Sequence, residues 1–494
     1  MKKLLLLFTA FIIIVFTNCK WDDSKKPGDC PEKCTTKTES YDIKGDGKVN
    51  SVQLNRQYRC NEYVVSFCSQ NQALRDSVHD YLLRKGGIKS NTCPCSGAIE
   101  LWNFPVGPAP DGADATPPPG GQGWEIVKNF IVADIEPADT FSNRTIDSVP
   151  DKYPPVTKPL NTVYLAIDDS GVEKDNTRLV PYLFKNPANT LFCNPIIREG
   201  LNGMNILNRD GLLTLPTPLN PSDPLDTDGH GTFISGVVAG IVEPKGSNGA
   251  PKRFIADNAG INIEQIHAKI FNDRKSGGDL FTALCGIHYS IEKGAKVINL
   301  SWAVVTVNAE EAKKVKTVFC STMERVKKEN ILLIAAAGNH AMSLDGDAKT
   351  WPACFAQAPT SSTEPNYSDY VLSVGSWSVD STKIAYHSNY GTFVNMYAPG
   401  SNIESTGFTD RSTTRVRVRM MIGKGTSYAA PYVSRVSAVL RGLHPGNPIV
   451  LPVRKIKNHI LFYSESIVEK FRPFPANIKL LDADKIMTNH RVLP

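Results

Sequence analysis

Three short, mostly apolar runs constrain this chain more than any other feature: Val163 to Ile167, Lys296 to Leu300 and Ile331 to Ala337. Each has the length of a strand and is apolar at successive positions, so both of its faces need cover. Segments with helical potential separate them. That texture, which begins at Val163, predicts a mostly parallel sheet between two layers of helix, a three-layer α/β fold. In open sheets of this kind, sites gather where the carboxyl ends of the strands open a crevice. The residues that follow each run are therefore the first place to look for chemistry.

The first run ends in Asp168-Asp169-Ser170-Gly171-Val172, an acid pair entering a turn. The third ends in Ala335-Ala336-Ala337-Gly338-Asn339, where Asn339 is either a turn residue or an amide able to donate to an oxyanion. Between them, Asp226-Thr227-Asp228-Gly229-His230-Gly231-Thr232 opens an apolar segment that reads as a helix. Glycines on both sides of His230 let backbone and ligand come close. Further on, Gly425-Thr426-Ser427-Tyr428-Ala429-Ala430-Pro431 leads into apolar residues at helical spacing: Ala429, Val433, Val436 and Leu440. Pro431 is assigned to the first turn, which needs no backbone donor. Ser427 then lies at a helix N-terminus. It is either a cap or an accessible hydroxyl set among unpaired N–H groups at the positive end of the dipole.

Together these pieces resemble the subtilisin-like serine proteases, the subtilases, whose order along the chain is Asp, His, Asn, Ser. Ala268-Lys269-Ile270-Phe271, Gly294-Ala295-Lys296-Val297-Ile298-Asn299-Leu300-Ser301, Val374-Gly375-Ser376 and Tyr397-Ala398-Pro399-Gly400 have counterparts in the same family. The resemblance covers residues 160–445. It implies Ser427 as nucleophile, His230 as general base and then acid, and Asp169 as the acid that orients the imidazole. It also implies Asn339 and the Ser427 N–H as oxyanion donors, with Ser301, Trp302, Ala303, Ala337 and Gly338 lining the substrate site. The register of Ser170-Gly171-Val172 favours Asp169, but some members use the first acid of such a doublet, so Asp168 stays open. Phe233 stands where the family often has a second, non-catalytic histidine. Trp302-Ala303 stands where Leu-Gly is common, in the strand expected to line the primary specificity pocket. The stretch between Asp169 and His230 is long for the family and points to a surface insertion that includes Cys193 and Leu213 to Pro224.

Upstream the texture differs. Met1-Lys2-Lys3 and the apolar run Leu4 to Phe16 have the layout of a secretory signal, too short to span a bilayer comfortably. Thr17-Asn18-Cys19 resembles the end of a bacterial lipoprotein signal, although Phe16 and Asn18 depart from its usual small residues. Residues 1–19 are assigned to that signal, with Cys19 lipidated and the protein anchored at the cell envelope or surface after export. A plain signal with a stray cysteine is the alternative. Without Cys19, ten of the eleven cysteines remain, an even number suited to disulfides outside the cytoplasm. Residues 20–57 read as a tether and 58–104 as a small disulfide-rich α+β unit. That unit has a strand at Tyr63–Phe67, a helix at Gln72–Arg84 and a strand at Ile99–Trp102. It is either a pro-domain removed on maturation or a permanent accessory domain. Residues 105–159 read as a Pro/Gly-rich linker, and 446–494 as an extension packing on the larger domain.

No cofactor is required for the implied chemistry and no metal-ligand set stands out. Asp42 to Lys48 lacks the acids of an EF-hand and reads as a glycine turn; structural calcium is left open, its site undefined. Arg415, Arg417 and Arg419 alternate with Val416 and Val418, a strand with one basic face, either solvated or receptive to acidic substrate residues. A net charge of +6 is mild for 494 residues and argues against a nucleic-acid partner. The expected partners are protein or peptide substrates, with the chain a monomer. Two other classes remain: a catalytically silent subtilase-like binding protein, and an α/β-hydrolase esterase. The esterase fold carries its serine in G-x-S-x-G ahead of its acid and histidine, whereas Ser427 comes last.

Overall fold

The computed structural model describes residues 37–42, 53–105, 123–132, 140–145, 159–185, 191–192, 194–198, 202–207, 223–244, 254–271, 278–362, 364–410, 417–444, 452–469 and 476–493. The signal with Cys19, most of the Asp42 to Lys48 turn, Cys193, most of Leu213 to Pro224, and Arg415 lie outside them.

The central sheet grows from the three apolar runs. Strand Asn161–Asp169 has parallel neighbours on both sides, Ile261–Lys269 and Val297–Leu300. Leu332–Ala336, Val371–Ser378 and Met396–Pro399 continue the parallel order outward. Gly203–Asn205 extends it beyond Ile261–Lys269. Both neighbours of Asn161–Asp169 come later in the chain and lie on opposite sides of it, so its carboxyl end is a topological switch point. Leu165, Ile167, Ile298, Leu333 and Ile334 are fully buried, because helices cover both faces. Helices His230–Ala239 and Thr426–Leu443 pack against each other on one face, while Leu280–Glu292 lies on the other.

The sheet continues past residue 445. Ala476–Leu480 pairs in parallel with Met396–Pro399 and antiparallel with Glu465–Glu469, so the C-terminal segment completes the sheet edge as well as packing on the domain. Helix Val453–Tyr463 carries the buried Lys457, whose ammonium donates to the carbonyls of Ala356, Ser368 and Val371 at 3.1, 2.6 and 2.7 Å. Three acceptors offset the desolvation of that charge and tie the segment to the core.

The N-terminal unit is broader than its sequence signals. Its sheet runs Trp124–Val132, Gln53–Phe67, Ile99–Asn103, Ile88–Thr92, with Lys37–Asp42 also paired to Gln53–Phe67. Residues 37–42 and 53–57, read as tether, and 124–132, read as linker, are therefore strands. Backbone ladders hold such strands without a continuous apolar pattern, so their composition hides them. Helix Gln72–Arg84 has its expected bounds. Asn71 Oδ1 caps it by accepting from Leu74 N–H at 3.2 Å, and Leu74, Val78 and Leu82 face inward.

This unit is stitched to the α/β domain. Ile131 and Val132 pair with Asp279 and Gly278. Asn129 Oδ1 accepts from Phe281 N–H at 3.1 Å, and Arg325 donates to Cys95 O at 2.8 Å. Cys68 and Cys320 join the two covalently, with Cα atoms 5.5 Å apart. Cys60 and Cys95 are also in disulfides. Cys93 and Cys354 are buried thiols, against the expectation that all ten are paired; each packs in the core as a small apolar side chain. A proteolytic nick within 106–122 is expected to leave the N-terminal fragment attached on a non-reducing denaturing gel and to release it on a reducing one. Release without reductant would contradict the Cys68–Cys320 bond.

Candidate active site

Asp168 and Asp169 are successive residues of one strand, so their side chains face opposite sides of the sheet. Asp169 faces the helix His230–Ala239. Its Oδ1 lies 2.8 Å from His230 Nδ1 and accepts from Ser170 N–H at 2.7 Å. Asp168 faces Leu280–Glu292, where Ser290 Oγ donates to it at 2.7 Å. The histidine thus meets Asp169 and not Asp168.

Burial pushes the Asp168 carboxyl up to about 8, opposed by the Ser290 hydrogen bond and assisted by the neighbouring Asp169 charge. The sign of the linked stability follows. An acid raised on folding holds a proton in the folded chain that the unfolded chain has already lost. Its contribution is full below the ordinary value of 3.8 and is lost as pH rises through about 8. Asp168→Asn cannot titrate, so wild type is expected to lose Tm relative to this variant between pH 4 and pH 9. A Tm difference that stays constant with pH would contradict this.

His230 is the first residue of its helix, after Gly229 at φ 100°. A Cβ on Gly231 would lie 2.2 Å from Gly171 O, so the histidine's loop and the acid's turn touch backbone to backbone and tolerate no side chain there. The Tyr428 ring stands edge-on to the imidazole at 5.3 Å, and Phe271 lies 6.4 Å away. With Nδ1 committed to Asp169, proton exchange with a hydroxyl falls to Nε2.

Ser427 is the second residue of helix Thr426–Leu443, and Gly425 holds the cap position, so Ser427 is not the cap. Pro431 lies in the second turn rather than the first. Its absent N–H would have met the Ser427 carbonyl four residues back; Ser301 Oγ donates to that carbonyl instead, at 2.9 Å. In return Ser427 Oγ donates to Ser301 O at 3.2 Å. Ser427 is also not the accessible hydroxyl expected from its place at a helix mouth. It is 0% exposed, as are His230 and Asp169, because the helix is buried on every side.

Asn339 follows the carboxyl end of Leu332–Ala336. Its Oδ1 accepts from Thr426 N–H at 2.8 Å, and Gly338 N–H donates to Thr426 Oγ1 at 3.1 Å. That bond fixes the orientation of the Asn339 amide against the first turn of the serine's helix. The Ser427 N–H, in the first turn of its helix, has no acceptor within that helix. Ser301-Trp302-Ala303 and Ala337-Gly338 leave adjacent strands, with Ser301 hydrogen-bonded to Ser427 and Gly338 to Thr426. Ser301, Trp302 and Ala337 are buried, and Ala303 is half-buried. Arg419 is exposed on strand Arg417–Gly423. Among the described residues, no three His, Cys, Asp or Glu side chains cluster to hold a metal ion, and no helix is long and apolar enough to cross a membrane.

Sequence reasoning missed the supports of this arrangement: Ser170, Asp226, Ser301 Oγ, Thr426 and Ser290. One signal was present. Asp226 precedes backbone donors at the second and third following positions, the spacing of an Asx-type turn.

Residues 161–466 match the subtilase family. The chain is 29% identical over 262 residues to Mycosin-3 of Mycobacterium tuberculosis, covering 47% of this chain and 54% of that protein. It is 30% identical over 235 residues to Mycosin-4 of the same organism, covering 44% and 49%. The chain thus spans about half the length of these relatives. Among solved structures, fervidolysin from Fervidobacterium pennivorans, a keratinolytic enzyme related to subtilisin, superposes with a TM-score of 0.56 at 15% identity, covering 87% of this chain and 61% of that one. The epidermin leader peptide processing serine protease EpiP of Staphylococcus aureus gives 0.53 at 17% identity, covering 86% and 97%. At these identities the two structures speak to the fold alone.

Proposed function

The chain belongs to the subtilase family, and from that premise we propose that it is a serine endopeptidase acting outside the cytoplasm, through an acyl-enzyme on Ser427 with His230 and Asp169. The 2.8 Å contact between His230 Nδ1 and Asp169 Oδ1 at the switch-point strand end carries this reading. It fixes the tautomer in which Nε2 can take the proton of Ser427 Oγ as the oxygen adds to a peptide carbonyl. The same proton then goes to the leaving amine, and Asp169 stabilises the imidazolium in between. The oxyanion meets the Asn339 NH₂ and the Ser427 N–H. Water repeats the sequence to release the acid.

Asn339→Ala removes one oxyanion donor and is expected to lower kcat by 10²- to 10³-fold, about 3 kcal/mol in the barrier. KM should change little; a change confined to KM would remove Asn339 from the hole.

The substrates in this reading are proteins or peptides. Export follows from the leading basic and apolar segment, and the Cys68–Cys320 disulfide suits an oxidising compartment. Cys19 is the proposed lipid anchor, tested by the mass of the mature N-terminus. A silent binding protein is the second reading, favoured by the buried Ser427. Incubation of the purified chain with an unfolded protein and with a simple ester separates these outcomes. Peptide-bond cleavage blocked by a serine-directed inhibitor is expected. A folded chain that cleaves neither substrate would support the binder, and turnover of the ester alone would support an esterase.

A further inference from the structure

Asp226 is buried between the two loops that carry Asp169 and His230. Its Oδ1 accepts from Ser170 Oγ, Asp228 N–H and Gly229 N–H at 2.9, 2.9 and 2.8 Å. Its Oδ2 accepts from Thr232 N–H at 2.9 Å and Thr232 Oγ at 2.5 Å. Three of these donors lie on either side of His230 in sequence: the N–H of Gly229 before it, and the N–H and Oγ of Thr232 after it. The third side of the network reaches the other partner. Ser170 Oγ accepts from Gly231 N–H at 2.9 Å, while Ser170 N–H donates to Asp169 Oδ1 at 2.7 Å. Ser170 therefore hydrogen-bonds both carboxylates, and Gly231 completes the return to the histidine's helix. The backbones are zipped alongside: Val172 N–H donates to Pro224 O at 2.8 Å and Asp226 N–H to Val172 O at 3.2 Å.

We infer that Asp226 is a positioning residue for the proposed triad: through Ser170 and the first turn of the histidine's helix it holds His230 and Asp169 in register, and its charge favours the imidazolium. Neutral side chains suffice to hold a loop; five donors converging on two oxygens require an acceptor-only group, a carboxylate. Burial alone would raise this acid. The hydrogen bonds from Thr232, Gly229 and Asp228 outweigh it and hold Asp226 below the usual carboxylate range, so a buried negative charge persists beside the site. Among the described residues, the other charged groups around His230 are Asp169, Asp228, whose Oδ1 accepts from His230 N–H at 3.3 Å, and Lys269, whose ammonium donates to Ser170 O at 2.7 Å and to Thr227 Oγ at 3.3 Å. From Thr426–Leu443 it is faced by the uncharged Tyr428. Asp168 lies on the far side of the strand.

The inference rests on the protease reading, so its test needs one readout that turnover does not touch. In the full chain, the downfield ¹H NMR resonance of the His230 Nδ1 proton reports the bond to Asp169 directly. In Asp226→Asn this resonance is expected to move or broaden, and kcat per titrated active site to fall more than tenfold with KM within about twofold. The acid limb of the kcat/KM profile should shift to lower pH by about half a unit as the imidazolium loses a neighbouring charge. Ser170→Ala keeps the charge and breaks the bridge, so it should disturb the resonance and lower kcat while leaving the limb in place. If Asp226→Asn does not fold, the Ser170→Ala resonance decides. An unmoved Nδ1 resonance, or a loss of Tm with an unchanged pH profile, would overturn the positioning role. A wild-type chain with no turnover but a resonance that responds to Asp226→Asn would sink the protease reading and keep the positioning one.

Discussion

Alanine at Ser427 is expected to reduce peptide hydrolysis by about 10⁶-fold. Loss of the hydroxyl removes the attacking atom, and histidine and acid have nothing left to activate. What remains is the slower catalysis of oriented water by the oxyanion donors. The fold should survive. The substitution deletes the hydrogen bond from Ser427 Oγ to Ser301 O, and a bond of this kind contributes about 1 kcal/mol. The reciprocal bond from Ser301 Oγ to Ser427 O is untouched, so the gap left by Pro431 stays filled. Activity and Tm measured on one preparation check both halves. A folded variant with wild-type turnover would remove Ser427 from the mechanism.

The second large effect separates the two acids. Asp169→Asn is expected to lower kcat by about 10⁴-fold, because an amide beside Nδ1 no longer selects the tautomer that leaves Nε2 basic. Asp168→Asn should stay within about tenfold. Its side chain faces Ser290 across the sheet, and at pH 7 its carboxyl still holds a proton, which an amide resembles in charge and size. The reverse ranking would move the acid by one residue and contradict the geometry.

Much of this was legible in the sequence, for identifiable reasons. Strands buried on both faces must be apolar at consecutive positions, and that pattern survives in Val163 to Ile167 and Ile331 to Ala337 whatever surrounds them. Gly231 marks a place where backbone meets backbone, and Gly229 and Gly425 take positive φ, needs that local sequence displays directly. The choice between Asp168 and Asp169 depends on which sheet face each meets, and that is fixed by helices packed from distant parts of the chain. Strands Lys37–Asp42 and Trp124–Val132 lacked a signal because their pairing is stabilised by backbone hydrogen bonds to distant segments, which a local reading cannot see. The Cys68–Cys320 link spans 252 residues, and cysteine spacing carries no information about such a pair. Ser427's burial was missed for a related reason: helix position tells which end a residue occupies, but not how many layers lie over it.

The central claim is that Ser427 is an activated nucleophile, and covalent labelling tests it most directly. The folded wild-type chain, treated with a fluorophosphonate and analysed by intact mass and peptide mapping, is expected to carry one adduct, on Ser427. The adduct should be absent from Ser427→Ala and form far more slowly in His230→Ala. A folded wild-type chain that takes no adduct, or one whose adduct persists in Ser427→Ala, would contradict the account.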